Sequence, residues 1–486
     1  MDIEKQNLII IMSDEHSNKA LGCYGHEFVE TPNLDSLATN GTRFSSAYCT
    51  SPVCIPARAS FATGKYIHQI GYWDNADAYD GKVNSWHHTL RDRGQRVVSI
   101  GKLHFKKYGE DHGFSEELVP MHIVEGKGDL MGLVRSEELP VRQGAYKMAE
   151  LAGPGESQYT TYDRDIVSRA QIWLREEAHK YSDKPWVLFV SFVSPHFPLT
   201  APPEHFYKYY NRDLPLPKLY DESERPNHPY QNDYRRSFNY DDYFNQEKLK
   251  KALAGYYGLC SFLDENVGKI LTTLNELNLD SDTRILYTSD HGDNLGSRGM
   301  WGKSMLYEES AAVPLIITGK NIPSNKVVDT PVSHVDVMPF VYDAVGANDK
   351  SLKEDLPGTS LFDLANGIVP DRNVLSEYHG MGSTTGAFMI RHGKYKYIHY
   401  VDYPNQLFNL ESDPEELVDL ASDSDYAKVL DECRKKLYAI CDPEEVDKRA
   451  RARQEELLKK HGGRDAVIER GDLGFSPAPG AEHKFD

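Results

Sequence analysis

The stretch Asn7-Leu8-Ile9-Ile10-Ile11-Met12-Ser13-Asp14-Glu15-His16 decides the fold, because an apolar run too short for a helix stops at once in a cluster of ionisable side chains. Such a run predicts a strand buried on both faces, since a half-exposed strand would alternate apolar with polar residues. Three later segments repeat the plan. Residues 96–100 run into Gly101-Lys102-Leu103-His104, residues 186–193 into Ser194-Pro195-His196, and residues 284–288 into Ser289-Asp290-His291-Gly292. Helical periodicity recurs between them, over residues 163–180 and 246–277, and Thr31-Pro32-Asn33 predicts a helix start with Thr31 as cap and Pro32 as first residue. Strands alternating with helices predict an α/β fold with a large, mainly parallel or mixed sheet sandwiched by helices. Parallel sheets bind ligands beyond the carboxyl ends of their strands, so the four polar clusters are expected to converge on one site.

After about residue 365 the texture changes. Residues 374–377, 387–391, 394–400 and 406–409 are short β-like pieces joined by Gly, Asn, Asp and Pro turns, followed by a charged helical stretch over residues 443–461. The expected division is a catalytic domain over residues 1–365 and a smaller α+β domain over residues 366–486 carrying an antiparallel sheet. Residues 471–486 read as irregular packing or a loose tail, with their charges on a solvated face.

With 486 residues the chain is long enough for a large core plus a companion. A formal net charge of −19 argues against a nucleic-acid partner, whereas an anionic small substrate needs only a local basic pocket. Six cysteines without a close CxxC pair are no disulfide scaffold and suit a reducing compartment. The first residues lack the basic and apolar regions of a signal peptide, and the run over residues 8–12 is far too short to span a bilayer. The expectation is a cytoplasmic protein without a membrane partner, although a chain trimmed of an export leader would read the same.

Asp14 and Asp290 leave separate strand ends, with Glu15 beside one and His291 beside the other. Hard oxygen donors of this kind suit Ca²⁺, Mg²⁺ or Mn²⁺, and the imidazole keeps Mn²⁺ in play. Cys54 sits between a proline-punctuated loop and an expected helix start, with Arg58 four residues on, where helix dipole and cation both favour an anion. Lys102 and His104 stand two apart on the same side of a strand end.

The segment Ser51-Pro52-Val53-Cys54-Ile55-Pro56-Ala57-Arg58-Ala59-Ser60-Phe61-Ala62-Thr63-Gly64 carries Cys-x-Pro-x-Arg, and here the sequence resembles the type I sulfatases of the alkaline phosphatase superfamily. The resemblance extends through residues 94–104, Ser194-Pro195-His196-Phe197-Pro198, Ser289-Asp290-His291-Gly292 and residues 406–414, in the family's order. It implies that Cys54 is oxidised by a formylglycine-generating enzyme, and that the hydrated aldehyde attacks the sulfur of an organic sulfate ester. It further implies one divalent cation, Ca²⁺ first, held by Asp14, Asp290, His291 and residue 54, with Glu15 as a further candidate ligand. Arg58 would hold the formylglycine, Lys102 and Lys303 would bind sulfate oxygens, His104 would take a proton from the second hydroxyl, and His196 or Lys303 would protonate the departing alkoxide. Asn75 resembles a position lining the sulfate pocket in some relatives. His379, in Ser376-Glu377-Tyr378-His379-Gly380, resembles a loop residue facing the substrate in uronate and choline-sulfate enzymes. The expected substrate is a sulfated sugar or uronic acid. Choline or aryl sulfates, phosphonate or phosphate monoesters, and a silent anion-binding module are the alternatives.

Overall fold

A computed structural model describes residues 4–136, 138–181, 183–347, 349–368, 372–482 and 485. Its large sheet has eight strands: β1 (Asn7–Asp14), β2 (Gly41–Phe44), β3 (Val97–Lys102), β4 (Glu116–Met121), β5 (Val187–Pro195), β6 (Thr283–Ser289), β7 (Leu315–Thr318) and β8 (Lys326–Val328). The spatial order is β8-β2-β7-β6-β1-β5-β3-β4. From β6 to β4 every neighbouring pair is parallel, and β7 reverses direction against both β6 and β2.

Two-sided burial explains the uninterrupted apolar run of β1. Leu8, Ile10 and Met12 enter one cluster with Val97, Val187, Phe189, Trp86 and Phe340, while Ile9 and Ile11 enter another with Val98, Leu188, Val190, Tyr287 and Trp173. Helices α3 (Gln158–Glu176) and α4 (Gln246–Glu276) cover the second face through Tyr162, Ile166, Trp173, Leu263 and Val267. Helix α3 starts five residues before the apolar period does, because Ser157 caps it by accepting from Thr160 N at 3.2 Å. Each large aliphatic side chain buried in these two clusters contributes roughly 1.5–3 kcal/mol to the favourable side of folding.

The short helix α1 (Pro32–Thr39) corrects one expectation. Thr31 makes no capping hydrogen bond, its hydroxyl meeting Gly22 N and Asp35 instead. The orphan amides of Asn33 and Leu34 donate to Asp264 of α4, at 3.1 and 2.8 Å. A carboxylate at a helix N-terminus satisfies donors and the dipole together, so a residue 231 positions away does the work of a cap.

Beyond the large sheet, β9 (Asn373–Tyr378), β10 (Ala387–His392), β11 (Tyr395–Tyr400) and β12 (Gln406–Asn409) form an antiparallel meander in sequence order. One face, with Leu375, Phe388, Ile390 and Tyr397, packs on Leu437 of α5 (Ala427–Ile440) and on Val446 and Ala450 of α6 (Pro443–Lys460). The other face, with Ala387, Met389, Ile398 and Tyr400, shares a core with Leu249, Tyr256 and Phe262 of α4. Residues 471–476 depart from the loose-tail reading. Asp472 is 2% exposed and accepts from Arg142, at 2.9 Å, and from Gly144 N, at 3.0 Å, while Tyr159 donates to Ser476 O at 2.6 Å. Among the described residues, no helix is long and apolar enough to cross a membrane.

Asp264→Ala, which leaves two amides of α1 uncapped, is expected to cost about 1–2 kcal/mol. A lower thermal midpoint with unchanged far-ultraviolet circular dichroism at low temperature is the predicted result.

Candidate active site and metal centre

The sheet order carries the site. β6, β1, β5 and β3 are consecutive neighbours, and Asp290, Asp14, His196 and Lys102 stand at or just past their carboxyl ends. Ser13 lies opposite Ser289 across the β1–β6 pair, so the following aspartates leave side by side. Helix α2 (Cys54–Thr63) points its N-terminus at them, with Cys54 as its first residue and Arg58 one turn later on the same face. The strands end abruptly: Glu15 and His104 take left-handed backbone angles, φ 65° and 53°, as does Ser304, φ 78°.

Cys54 Sγ stands 3.1 Å from His291 Nε2, 3.1 Å from Lys303 Nζ and 3.6 Å from Asp14 Oδ1. His291 Nδ1 donates to Gly292 O at 2.9 Å, which leaves Nε2 as a lone-pair donor. Asp290 Oδ1 accepts from the amides of Glu15 and His291, and its Oδ2 accepts from Arg58 Nε at 2.7 Å. Arg58 also reaches Asp14 Oδ2 at 3.4 Å, Lys102 O at 2.8 Å and Ser191 Oγ at 2.9 Å. Lys102 Nζ pairs with Asp14 Oδ2. Burial alone would raise the Asp14 carboxyl, but Lys102, His196, Arg58 and Lys303 hold it well below the usual carboxylate range. Asp14, Cys54, Asp290 and His291 each offer a ligand atom, all within 4.8 Å of one another and all buried. Two anionic oxygens and an imidazole lone pair turned inward fit a divalent metal ion.

A second group faces the first across Cys54. Lys303 Nζ donates to His196 Nε2 at 2.7 Å and to Glu15 Oε2 at 3.2 Å, while His196 Nδ1 donates to Phe197 O at 2.6 Å. Those partners fix His196 as the Nδ1–H tautomer, and burial, aided by Lys303, lowers it well below its ordinary value. Burial also pushes the Glu15 carboxyl up to about 8. Glu15 turns its carboxylate to Lys303 and His196, and offers a ligand atom within 4.8 Å of those of Asp14 and His196, a group that shares Asp14 with the Asp14–Cys54–Asp290–His291 group. The thiol of Cys54 is a poor nucleophile as it stands, since burial and Asp14 push it up to about 12.

His104 lines the pocket with both ring nitrogens free of hydrogen bonds, and burial, then Lys102, lowers it well below its ordinary value. Asn75 Oδ1 accepts from Ile55 N at 3.2 Å, and Asn75 also lines the pocket. His379 is placed elsewhere. The residue is 1% exposed, its ring lies edge-on to Trp73 and Phe388 and meets Glu377 at 3.1 Å, and it is not among the residues lining the pocket. Met381, two residues on, lines the pocket in its stead.

The pocket has walls that sequence reading missed. Phe197, Phe238, Tyr240 and Phe475 supply aromatic faces, and Arg142 bridges Asp129 and Asp472 at 2.8 and 2.9 Å. Phe197 aside, which stands in the Ser194–Pro198 motif, these residues come from three unconnected segments without a motif. The only signal was the run of tyrosines and phenylalanines over residues 230–244, where Tyr234 and Tyr240 donate to Trp301 O, next to Lys303.

The comparisons with known proteins agree with this geometry. The profile of the Sulfatase family matches residues 6–347, and that of the N-sulphoglucosamine sulphohydrolase C-terminal region matches residues 296–442. A choline-sulfatase of Rhizobium meliloti (strain 1021) is 33% identical over 432 residues, 87% of this chain and 83% of its own. Among solved structures, a protein in complex with its substrate D-glucosamine-2-N,6-O-disulfate superposes with a TM-score of 0.71 at 22% identity, covering 92% of this chain and 99% of that one. The phosphonate monoester hydrolase of Agrobacterium radiobacter gives 0.70 at 22% identity, covering 93% and 96%. The two structural likenesses speak for the fold alone; the profile and the sequence relative go further, and the chain belongs to the sulfatase family, the sulfuric ester hydrolases of the alkaline phosphatase superfamily.

Proposed function

We propose that the chain hydrolyses small organic sulfate monoesters with residue 54 in its formylglycine form and one divalent cation, Ca²⁺ first, held by Asp14, Asp290, His291 and residue 54. One observation carries the reading: Lys303 Nζ and His291 Nε2 each stand 3.1 Å from Cys54 Sγ, so an anion reaching residue 54 lies between a cation and a metal-ligating group. Cys54, Pro56 and Arg58 are all buried, so a formylglycine-generating enzyme would act on the chain before it folds.

Formylglycine, when hydrated, supplies one hydroxyl to attack sulfur and a second whose deprotonation expels sulfate. Held by Asp14, Asp290 and His291, a divalent cation would supply Lewis acidity toward the sulfate group. Arg58 binds both aspartates and so fixes the start of α2 against the strand ends. Lys102, shielded from water beside Asp14, stabilises charge on the transferring group. Lys303 donates a proton to the departing alcohol oxygen. His196, kept neutral by its Nδ1–H bond to Phe197 O, orients Lys303 through Nε2. His104, neutral and without a protein partner, takes the proton of the second hydroxyl. Asn75 holds the first turn of α2 through Ile55 N and offers its amide nitrogen to a sulfate oxygen.

For the alcohol half, aromatic faces beside an Asp129–Arg142–Asp472 bridge suit a sulfated sugar, whose rings stack and whose hydroxyls need polar partners. A second reading, choline sulfate, is favoured by the same aromatic faces together with two carboxylates against a single guanidinium, an environment that attracts a quaternary ammonium. Turnover by the matured enzyme of sulfated monosaccharides, choline sulfate and an aryl sulfate decides between them.

Asp290→Asn removes an anionic donor from the metal group, so activity and bound metal are predicted to fall together while the fold persists. Full activity with unchanged metal content would take Asp290 off the ligand set. His104→Ala is expected to release a burst of alcohol and then stall as a sulfated enzyme, because His104 acts only after the alcohol has left. Equal slowing of both steps would make His104 a binding residue. Lys102→Ala should cost sulfate turnover on the order of 10²-fold. The matured wild type should also cleave a sulfate monoester faster than a phosphonate monoester with the same leaving group, and the reverse ranking would favour the phosphonate alternative.

A further inference from the structure

A separate cluster of ligating side chains lies at the edge of the large sheet. Glu117 is on the edge strand β4, His122 follows that strand directly, and His112 is in the loop before it. The three offer ligand atoms that all lie within 4.8 Å of one another. His112 Nδ1 is 2.9 Å from Glu117 Oε1, and His122 Nε2 is 3.5 Å from Glu117 Oε2. On the open side, Glu110 Oε2 stands 3.8 Å from His112 Nε2.

This cluster leaves polar atoms unsatisfied where water is scarce. The side chains of His112 and His122 are 0% and 10% exposed, yet His112 Nε2, both ring nitrogens of His122 and Glu110 Oε2 have no hydrogen-bond partner. Each such buried atom forfeits the hydrogen bond it makes with water in the unfolded chain unless something else satisfies it. In a tetrahedral site with bonds of about 2.0–2.1 Å, neighbouring ligand atoms stand about 3.3–3.4 Å apart. The separation of His122 Nε2 from Glu117 Oε2, 3.5 Å, is close to that value, and His112 Nδ1 meets the other oxygen of the same carboxylate at 2.9 Å. Two imidazoles with one carboxylate select a borderline-soft ion over Ca²⁺, whose preference is for all-oxygen sites.

We propose that His112, Glu117 and His122 form a second metal site, structural in role, for a dication of the Zn²⁺ class, with Glu110 at its open side. Its consequence runs to the segment that carries His104. Leu103 N and His104 N both donate to Met121 O, at 3.1 and 2.8 Å, and Ile123 N donates to Phe105 O at 3.0 Å, so the residues flanking His122 are bonded to residues 103–105. The His112 ring also packs on Phe105, centroids 5.1 Å apart. A metal joining His112 to His122 therefore clamps both ends of this segment.

The test measures Zn²⁺ bound by the intact matured chain in saturating Ca²⁺, by elemental analysis and calorimetric titration, together with the thermal midpoint. Wild type is expected to take up one equivalent of Zn²⁺ that Glu117→Gln and His122→Ala lack, and only wild type should gain thermal stability from Zn²⁺. Asp290→Asn should keep that equivalent, which separates this site from the one around Cys54 whatever the fate of the sulfatase mechanism. Glu117→Gln preserves side-chain volume, so it answers the question even where His122→Ala does not fold. Equal Zn²⁺ uptake by wild type and Glu117→Gln, or loss of the equivalent in Asp290→Asn alone, would overturn the proposal and leave a hydrogen-bonded His–Glu–His cluster.

Discussion

Two carboxylates held out of water govern the rest of the structure. Asp14 and Asp290 are 0% exposed at the ends of adjacent parallel strands, and an ion buried without compensation costs several kcal/mol even after relaxation. Arg58 answers both, through Nε to Asp290 and through its terminal nitrogen to Asp14, and its remaining arm binds Lys102 O and Ser191 Oγ. One guanidinium thus ties β6, β1, β3 and β5 to the first turn of α2. A lysine offers one point charge and could not hold this fork of partners. Because Cys54 lies one helical turn before Arg58, the demand that the carboxylates be compensated also fixes where residue 54 sits.

The same compactness explains the left-handed residues at the strand ends. Glu15 must turn its carboxylate away from Asp14 within a single residue, and His104 must leave β3 just after Lys102 has delivered its ammonium to Asp14. Non-glycine residues in this conformation cost about 1–3 kcal/mol each and persist only where surroundings over-determine them. Glu15 is held from both sides, its amide donating to Asp290 Oδ1 and its carbonyl accepting from Tyr256 OH at 2.6 Å. His104 is held by its amide on Met121 O. Backbone strain is thereby exchanged for side-chain convergence.

The parts of this arrangement legible from sequence are those that local pattern dictates. An apolar run ending in ionisable residues marked β1, β3, β5 and β6, and with them Asp14, Lys102, His196 and Asp290, because a doubly buried strand cannot alternate and its end must face the site. The spacing of Cys54 and Arg58 announced a shared helical face. What stayed hidden depends on contacts between distant segments. No local signal says that Asp264 caps α1, that Asp472 meets Arg142, or that residues 471–476 fold back over the pocket. The directions of the Glu15 and His379 side chains stayed hidden for a related reason: adjacency in sequence to a ligand or a loop motif does not determine side-chain direction, which a left-handed backbone at Glu15 and the flanking rings of Trp73 and Phe388 at His379 decide.

A chain of net charge −19 that takes an anionic substrate must invert its field locally. Around residue 54 the side chains bring Arg58, Lys102 and Lys303 against Asp14, Asp290 and Glu15. These six are balanced if all ionise, which would give sulfate no net attraction. Two features tip the balance. Burial raises the Glu15 carboxyl, which favours its neutral form and so weakens its compensation of Lys303. The donor group of Asp14, Asp290 and His291 fits a dication, whose charge adds to that effect just where Cys54 Sγ stands. The site becomes electropositive through what it binds and what it protonates, not through an excess of basic residues, so composition gave no sign of it.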